Sequence, residues 1–205
     1  MKNSATILAD GDFPSKGLAL EILQSAQPLI CCDGAADALW AYGIEPLAIV
    51  GDCDSISKAC AEHFAAILHR NPDQETNDLT KAVQYCLAHQ MTDLTILGAT
   101  GKREDHTLGN ISLLADYATE ATVRMVTSHG QFDAINSPTT FTATRGQQVS
   151  VFALDNTATI RYKGLRYDLP HNRARSWWSG TLNQVLGDSF TIDTHTPTII
   201  FRAFF

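Results

Sequence analysis

Asp52 and Asp54 lie one residue apart, immediately after a short apolar segment at residues 47–50 and Gly51. A continuous apolar run of this length is typical of a strand covered on both faces, and a glycine lets the backbone turn tightly. The two carboxylates can then be directed at one point, where their charges repel unless a hard cation such as Mg²⁺ lies between them. This pattern predicts a magnesium site at the end of a buried strand.

A structural role for the same residues is an open alternative. Asp52 would cap a turn, and Asp54 or Ser55 would cap a helix that begins near Ser57. Capping accounts for any one of these residues, so the motif alone does not decide between the two interpretations.

The segments that would position this site repeat the order strand, polar loop and helix. Residues 5–9 and 29–32 are apolar runs, and each is followed by an aspartate-containing loop and a helical pattern. Leu18, Ile22 and Leu23 would share one helix face, and Gly43 would end the second helix. This order predicts a parallel sheet, whose ligands bind beyond the carboxyl ends of its strands. The aspartates that fall at those predicted ends are Asp10, Asp12, Asp33, Asp52 and Asp54.

Two later segments extend the predicted site. Asn77 or Asp78 falls in the first turn of an amphipathic helix, where capping is again an alternative to a ligand role. After an apolar run at residues 94–97, the sequence Gly98-Ala-Thr-Gly-Lys-Arg103 combines glycines with a basic pair, and a helix carrying Ile111 and Leu114 follows. Backbone N–H groups of such a turn can face a phosphate, although no Walker A motif is present.

From about residue 131 the sequence changes to short β-rich runs separated by turn residues, and it contains seven candidate strands. We therefore expect an α/β domain with a parallel sheet at residues 1–130 and an all-β sandwich domain at residues 131–205, with a hinge near residues 128–131. Trp177 and Trp178 lie in a strand pattern, which predicts one buried and one exposed ring.

Composition excludes several classes of protein. The chain has 205 residues, a formal net charge of −7 and no cluster of Lys and Arg, so we do not expect nucleic acid as a partner. No apolar run approaches the ~20 residues that span a bilayer, and the N-terminus has no signal-peptide pattern, so we expect no membrane association. Five cysteines without metal or redox spacing favour reduced, packed thiols and a cytoplasmic location.

Four motifs occur together and in order: Asp33-Gly-Ala-Ala-Asp, Gly51-Asp-Cys-Asp-Ser, Asn77-Asp-Leu-Thr-Lys-Ala, and Gly98-Ala-Thr-Gly-Lys-Arg-Glu-Asp-His-Thr-Leu-Gly-Asn. With the later Gly164-Leu-Arg-Tyr-Asp and Ser179-Gly-Thr-Leu-Asn segments, this set resembles the thiamine pyrophosphokinase family over nearly the whole chain. The resemblance implies transfer of the pyrophosphoryl group of ATP to the hydroxyl of thiamine, giving thiamine diphosphate and AMP. It also implies Mg²⁺ as cofactor, ATP as co-substrate, and a homodimer with thiamine held at the subunit interface.

The resemblance assigns roles to residues of this chain. The implied metal ligands are Asp33, Asp52, Asp54 and Asp78, and the implied catalytic carboxylates are Asp52, Asp54, Asp78 and Asp105. The implied nucleotide-binding residues are Asp12, Gln74, Thr100, Gly101, Lys102, Arg103, His106 and Asn110. The implied thiamine-binding residues are Asp105, Tyr167, Ser179, Thr181 and Asn183. Which aspartate accepts the hydroxyl proton stays open.

Some residues differ from the family pattern. Cys53 stands where an aromatic residue is common, Gln74 near a frequent lysine, and Leu182 where serine is usual.

A pyrophosphokinase for another small alcohol, such as a pterin, could share the first domain. A D-x-D phosphatase expects its motif after the first strand rather than the third, and a non-catalytic sensor would gain little from clustered carboxylates.

Overall fold

The computed structural model describes residues 3–204. The chain forms two compact units. The first contains residues up to Leu113 together with Glu120–Ser128, and the second contains Leu114–Thr119 and the chain from His129 onward. Met1, Lys2 and Phe205, which begin and end the expected domains, lie outside the described residues. The domain bounds 1–130 and 131–205 stay a prediction.

The strands and helices of the α/β part alternate as the sequence predicts. In chain order they are β1 (Asn3–Leu8), α1 (Gly17–Ser25), β2 (Leu29–Cys32), α2 (Ala36–Tyr42), β3 (Ala48–Gly51), α3 (Lys58–His63), β4 (Leu68–Arg70), α4 (Asp78–Ala88), β5 (Met91–Leu97), α5 (Glu104–Tyr117) and β6 (Thr122–Val126). The strands pair in the order β6-β5-β1-β2-β3-β4, and every one of these pairings is parallel. The predicted parallel sheet is confirmed.

The interior of this sheet explains why its strands read as apolar runs. All four residues of β2 and all four of β3 are buried, because helices cover both faces of a parallel sheet. The helix ends follow local chemistry as well: Gly43 adopts the left-handed conformation (φ 83°) that ends α2, as predicted. Leu18, which was expected on the buried face of α1, is instead exposed, while Leu23 is buried.

Two features of the α/β part differ from the prediction. The short edge strand β4 was not predicted, because its sequence Leu-His-Arg lacks an apolar run. Helix α5 begins at Glu104, so Asp105, His106 and Asn110 lie on the helix rather than in the preceding glycine-rich loop.

The second unit contains the seven predicted strands. They are β7 (Gly130–Ile135), β8 (Thr139–Thr142), β9 (Gln148–Ala153), β10 (Arg161–Lys163), β11 (Asn183–Gln184), β12 (Ser189–Asp193) and β13 (Thr198–Ala203). They pair antiparallel in two groups, β11-β9-β13-β7 and β10-β12-β8. A core that includes Val151, Ile200, Phe190 and Ile192 joins residues of both groups, which is the arrangement of a sandwich.

The segment around the paired tryptophans differs from its prediction. Residues Trp177–Gly180 form a single 3-10 turn rather than a strand. A turn does not alternate its side chains between two faces, and both rings are exposed, Trp178 at 77%. The expectation of one buried ring was therefore wrong.

Candidate functional site

The strand order places a crevice between β1 and β5. The chain proceeds from β1 through β2 and β3 to β4 on one side, and continues with β5 on the other side of β1, so the order reverses there. Such reversals are where open α/β sheets bind their ligands. The loops after the two strands are joined by backbone hydrogen bonds from Ala9 N–H to Leu97 C=O (2.9 Å) and from Asp12 N–H to Thr100 C=O (2.8 Å).

A cleft of about 280 Å³ opens at this place. Its walls come from the loops after β1, β2, β3 and β5 and from the first turns of α4 and α5. Among the residues that line it are Asp10, Gly34, Ser55, Asn77, Asp78, Gly101, Lys102, Arg103, His106 and Asn110. The cleft thus has acidic, amide and basic groups on different walls, all supplied by the carboxyl ends of the strands and by helix N-termini.

Three carboxylates converge beside this cleft. Asp33, Asp52 and Asp54 each offer an oxygen, and these oxygens lie within 4.8 Å of one another. Asp33 follows β2 and the other two follow β3, so neighbouring parallel strands bring them together. Carboxylate oxygens are the ligands that Mg²⁺ prefers, and the site can therefore hold a hard divalent cation.

Capping does not explain Asp54. Ser57 is the N-cap of α3, where its hydroxyl accepts the N–H of Cys60 (3.3 Å). The Asp54 carboxylate accepts only the neighbouring Ser55 hydroxyl (2.8 Å) among the hydrogen bonds described for its side chain. The alternative in which Asp54 or Ser55 caps this helix is thus wrong.

Asp33, the buried member of the cluster, is held in place by its neighbours. It has no solvent exposure, and it accepts the backbone N–H groups of Gly34 and Cys53, both at 2.8 Å. Gly51 packs directly against it, and a Cβ at Gly51 would overlap the Asp33 carboxyl group. Glycine is therefore required at position 51, because a side chain there would overlap Asp33. Sequence reasoning had explained this glycine only by the turn.

The electrostatic state of Asp33 follows from its position. Burial, together with the charges of Asp78 and Asp52, raises the pKa of this carboxyl group to about 6, against the two backbone hydrogen bonds that lower it. A cation would stabilise the buried Asp33 carboxylate and relieve its repulsion from the more exposed Asp52 and Asp54, so the donor set fits Mg²⁺.

Asp52 is positioned by its own loop. The Asp54 N–H donates to Asp52 Oδ1 (3.1 Å), and the Gln74 side-chain amide donates to Asp52 Oδ2 (3.2 Å). These hydrogen bonds lower the pKa of Asp52. Gln74, predicted to bind nucleotide, is here a hydrogen-bond partner of the acidic cluster.

Asp78 is placed differently from the other predicted metal ligands. It lies in the first turn of α4, and its Oδ1 accepts the ammonium of Lys81 at 3.0 Å. Lys81 is only 3% exposed, and its ammonium also lies 3.9 Å from Asp52. Burial alone would lower the pKa of Lys81, but the hydrogen bond and charge of Asp78 raise it above its usual value.

Sequence reasoning missed the position of Lys81. A signal was present, because Asp78 and Lys81 are three residues apart on a helix and therefore share a face. Asn77, by contrast, is the N-cap of α4, as the capping interpretation predicted, because its side chain accepts the N–H of Thr80 at 2.9 Å.

Asn77 also begins a chain of hydrogen bonds across the cleft. Its amide donates to Asn110 Oδ1 (3.1 Å), and the Asn110 amide donates to Ala99 C=O (2.9 Å). Asn110 thereby ties α4 to the loop after β5.

The basic pair after β5 is balanced by nearby acids. Lys102 Nζ lies 2.6 Å from Asp10 Oδ1, and Arg103 holds both oxygens of Asp105 at 2.6 and 3.0 Å. The Arg103 guanidinium keeps the pKa of Asp105 well below its usual range. These pairs place two cations at the cleft in defined positions.

The glycine at position 101 is also explained by geometry. It has φ 82°, and a Cβ there would overlap the Asp12 carboxylate. Asp12 thus packs against the loop backbone, and its N–H contacts Thr100 C=O as described above. His106 lies on α5 and lines the cleft.

Four of the five predicted thiamine-binding residues lie in the second unit, whereas Asp105 lies on α5 in the first unit. Tyr167 is 58% exposed, whereas Asn183 is 5% exposed and exchanges hydrogen bonds with the Tyr167 backbone at 2.7 and 3.1 Å. The hydroxyls of Ser179 and Thr181 donate to the carbonyls of Ser176 and Trp178, at 2.6 and 2.7 Å. Asn183 thus has a structural role that sequence reasoning had not assigned.

The fold and the cleft define an α/β protein with acidic and basic groups gathered at the carboxyl ends of its strands. Residues 19–127 match the family model "Thiamin pyrophosphokinase, catalytic domain", and residues 130–201 match "Thiamin pyrophosphokinase, substrate-binding domain". The chain belongs to the thiamin pyrophosphokinase family.

Individual relatives agree with this assignment. The chain is 35% identical over 83 residues to Thiamin pyrophosphokinase 1 of Caenorhabditis elegans, covering 38% of this chain and 34% of the relative. It is 40% identical over 76 residues to Thiamine pyrophosphokinase of Bacillus subtilis, covering 35% and 36%. The chain thus spans about a third of the length of the curated relatives it matches.

Solved structures share the fold over nearly the whole chain. The yeast thiamin pyrophosphokinase structure has a TM-score of 0.80 at 19% identity, with 100% of this chain and 87% of that chain covered. The Bacillus subtilis structure has a TM-score of 0.77 at 20% identity, with 97% of each chain covered. No helix in residues 3–204 is long and apolar enough to cross a membrane.

Proposed function

We propose that this protein transfers the pyrophosphoryl group of ATP to the hydroxyl of thiamine, giving thiamine diphosphate and AMP. The observation that carries the proposal is the convergence of Asp33, Asp52 and Asp54 beside a cleft that also presents Lys102 and Arg103. The family models for both the catalytic and the substrate-binding domain support it, and they do not favour a phosphatase or a pterin enzyme.

Mg²⁺ would be held by the cluster of Asp33, Asp52 and Asp54, with Asp78 at the neighbouring wall of the cleft. A bound Mg²⁺ would neutralise charge on the phosphate oxygens of ATP. Asp33 anchors the cluster because its position is set by two backbone hydrogen bonds and by the packing of Gly51. Gln74 and the Asp54 N–H orient the Asp52 carboxylate.

The cations and amides of the cleft would bind the phosphates directly. Arg103 is pre-oriented by its two contacts with Asp105, and Lys102 is held near the mouth by Asp10. The loop between Gly98 and Arg103 leads directly into the N-terminus of α5, and a helix N-terminus favours an anion. Phosphoryl transfer depends mainly on such positioning and charge neutralisation.

A carboxylate outside the metal cluster would accept the proton of the thiamine hydroxyl. Asp78 and Asp105 are the two predicted catalytic carboxylates that remain outside it. The Arg103 hydrogen bond lowers the pKa of Asp105, which makes this carboxylate a weak base, so Asp105 is better suited to hold the hydroxyl by a hydrogen bond than to remove its proton.

The test is to supply purified protein with Mg-ATP and a panel of small alcohols, including thiamine and a hydroxymethylpterin, and to identify products by mass. We expect product from thiamine alone. Asp54→Asn should abolish turnover because it removes a carboxylate from the cluster, whereas Glu62→Gln, an exposed acid on α3 with the same charge change, should retain it. Product from the pterin alone would overturn the substrate assignment.

We also propose that the protein is a homodimer in which each thiamine site uses both chains. The exposed apolar side chains Tyr167, Trp177, Trp178 and Leu182 of the β unit support a covered surface there. An inactive Asp54→Asn chain mixed with an inactive Tyr167→Ala/Thr181→Ala chain should regain activity after subunit exchange. Absence of recovery, with exchange shown by native mass spectrometry, would place the complete site within one chain.

A cytoplasmic location is part of the same proposal. The four buried cysteines, Cys31, Cys32, Cys60 and Cys86, and the half-buried Cys53 are all free thiols, which fits a reducing compartment.

A further inference from the structure

The β part of the chain carries a charge opposite to that of the whole protein. Residues 129–205 contain seven Lys and Arg but five Asp and Glu, an excess of two positive charges, whereas the complete chain has a formal net charge of −7. The proposed reaction uses the acidic cluster and the Lys102–Arg103 loop of the other unit. None of these seven basic side chains lines the cleft of the first unit.

Part of this charge faces one cleft. A space of about 520 Å³ is lined by Asn156, His171, Arg173 and Arg175, and all four residues belong to the second unit. No carboxylate is among these lining residues, and no described residue forms an ion pair with the three basic side chains. Two guanidinium groups that face one space without a counter-ion repel each other, so an anion placed there would be stabilised.

The backbone fixes the direction of the two arginines. Ala174 lies between them and is buried in the β core, as is Leu169 at the start of the loop. Because the segment is extended at Arg173, a buried Ala174 turns its two neighbours to the same outer side. The Ile160 N–H donates to Asn172 C=O (2.8 Å), which attaches the loop to the adjoining segment.

The backbone also defines where His171 lies. His171 and Asn172 adopt left-handed backbone angles (φ 56° and 55°), which turn the chain sharply after Pro170. Asp155, the nearest acid along the chain to Asn156, is engaged by the N–H and hydroxyl of Thr157. Asp155 is not among the residues that line this cleft.

We propose that this cleft binds the phosphoryl group of a small phosphorylated molecule. Two guanidinium groups, an imidazole and an amide are donors that match the oxygens of a phosphate, and arginine pairs with phosphate in a two-point geometry. A second cleft shares Asn156 and Arg175 and is lined further by Leu154, Asp155 and Trp177. The Leu154 and Trp177 side chains offer apolar contacts to an organic group attached to the phosphate.

The test uses the full chain in EDTA, without ATP or thiamine, and measures binding of inorganic phosphate and of phenyl phosphate by isothermal titration calorimetry. The cleft variant is Arg173→Gln/Arg175→Gln. The control is Arg145→Gln/Arg161→Gln, which removes two exposed arginines of the same unit that do not line the cleft. Equal thermal unfolding of both variants establishes that each is folded.

We expect the cleft variant to bind both probes about tenfold more weakly or worse, since it loses charge-assisted hydrogen bonds, while the control binds like the wild type. Tighter binding of phenyl phosphate than of phosphate would identify an organic phosphate as the ligand, and equal binding would identify the free anion. Unchanged binding by the cleft variant, an equal loss in the control, or a loss on Lys102→Gln alone would overturn the proposal. Because neither probe needs Mg²⁺ or turnover, this result is independent of the proposed enzymatic function.

Discussion

Replacement of Asp33 by Asn tests whether the buried carboxylate carries an electrostatic cost that a metal relieves. The native pKa of about 6 exceeds the ordinary value of 3.8, so the native state binds the proton more tightly than the unfolded state. The stabilisation that comes from this tighter proton binding is fully present below pH 3.8 and is lost as the pH rises through 6. The complete difference corresponds to about 3 kcal/mol, of which about 2 kcal/mol falls between pH 7.5 and 4.5.

The assay is urea unfolding of the wild type and Asp33→Asn in EDTA at several pH values. The variant loses a backbone hydrogen bond at every pH, so the informative quantity is how the difference in unfolding free energy changes with pH. We expect the wild type to gain about 2 kcal/mol relative to the variant on going from pH 7.5 to 4.5. Saturating Mg²⁺ should reduce or reverse this gain because a cation favours the ionised carboxylate. A difference that is independent of pH, or unaffected by Mg²⁺, would refute the reasoning.

Two further substitutions test the packing and charge of the same site. Gly51→Ala should lower the unfolding free energy by about 1–3 kcal/mol and weaken Mg²⁺ binding, because its Cβ would overlap Asp33, whereas Gly109→Ala, where a Cβ meets nothing, should be neutral or stabilising. Equal stability of the two variants in urea would contradict this steric argument. Lys81→Met should destabilise the metal-free protein by about 2–3 kcal/mol, since Asp78 and Asp52 lose their buried cation, with partial recovery in Mg²⁺. Wild-type stability of Lys81→Met in EDTA would show that the ammonium does not hold these carboxylates.

Much of the fold could be predicted because its strands are buried runs bounded by turn residues. The segments β2 and β3 are apolar throughout, and the second unit places its strands about ten residues apart. The edge strand β4 could not be found, since Leu68–Arg70 has neither length nor apolar pattern. The Trp177–Trp178 pair was mistaken for a strand because aromatic residues favour strands, while the local chain forms a 3-10 turn.

The candidate site was predictable to the level of strand ends. A parallel sheet brings the loops after β2 and β3 together, and this rule places Asp33 beside Asp52 and Asp54. Finer contacts depend on tertiary packing, even where two residues such as Asp78 and Lys81 share a helix face. Sequence reasoning did not predict that Lys81 would be buried against Asp78, since lysine is rarely buried, or that Asn183 would support the Tyr167 backbone.

The central claim is that the thiamine hydroxyl attacks the β-phosphorus of ATP. Separation of the adenine nucleotides after a single turnover with thiamine and Mg-ATP tests it most directly. The account predicts AMP in a one-to-one ratio with thiamine diphosphate. Stoichiometric ADP, formed with thiamine monophosphate, would contradict it and would assign ordinary γ-phosphoryl transfer to this site.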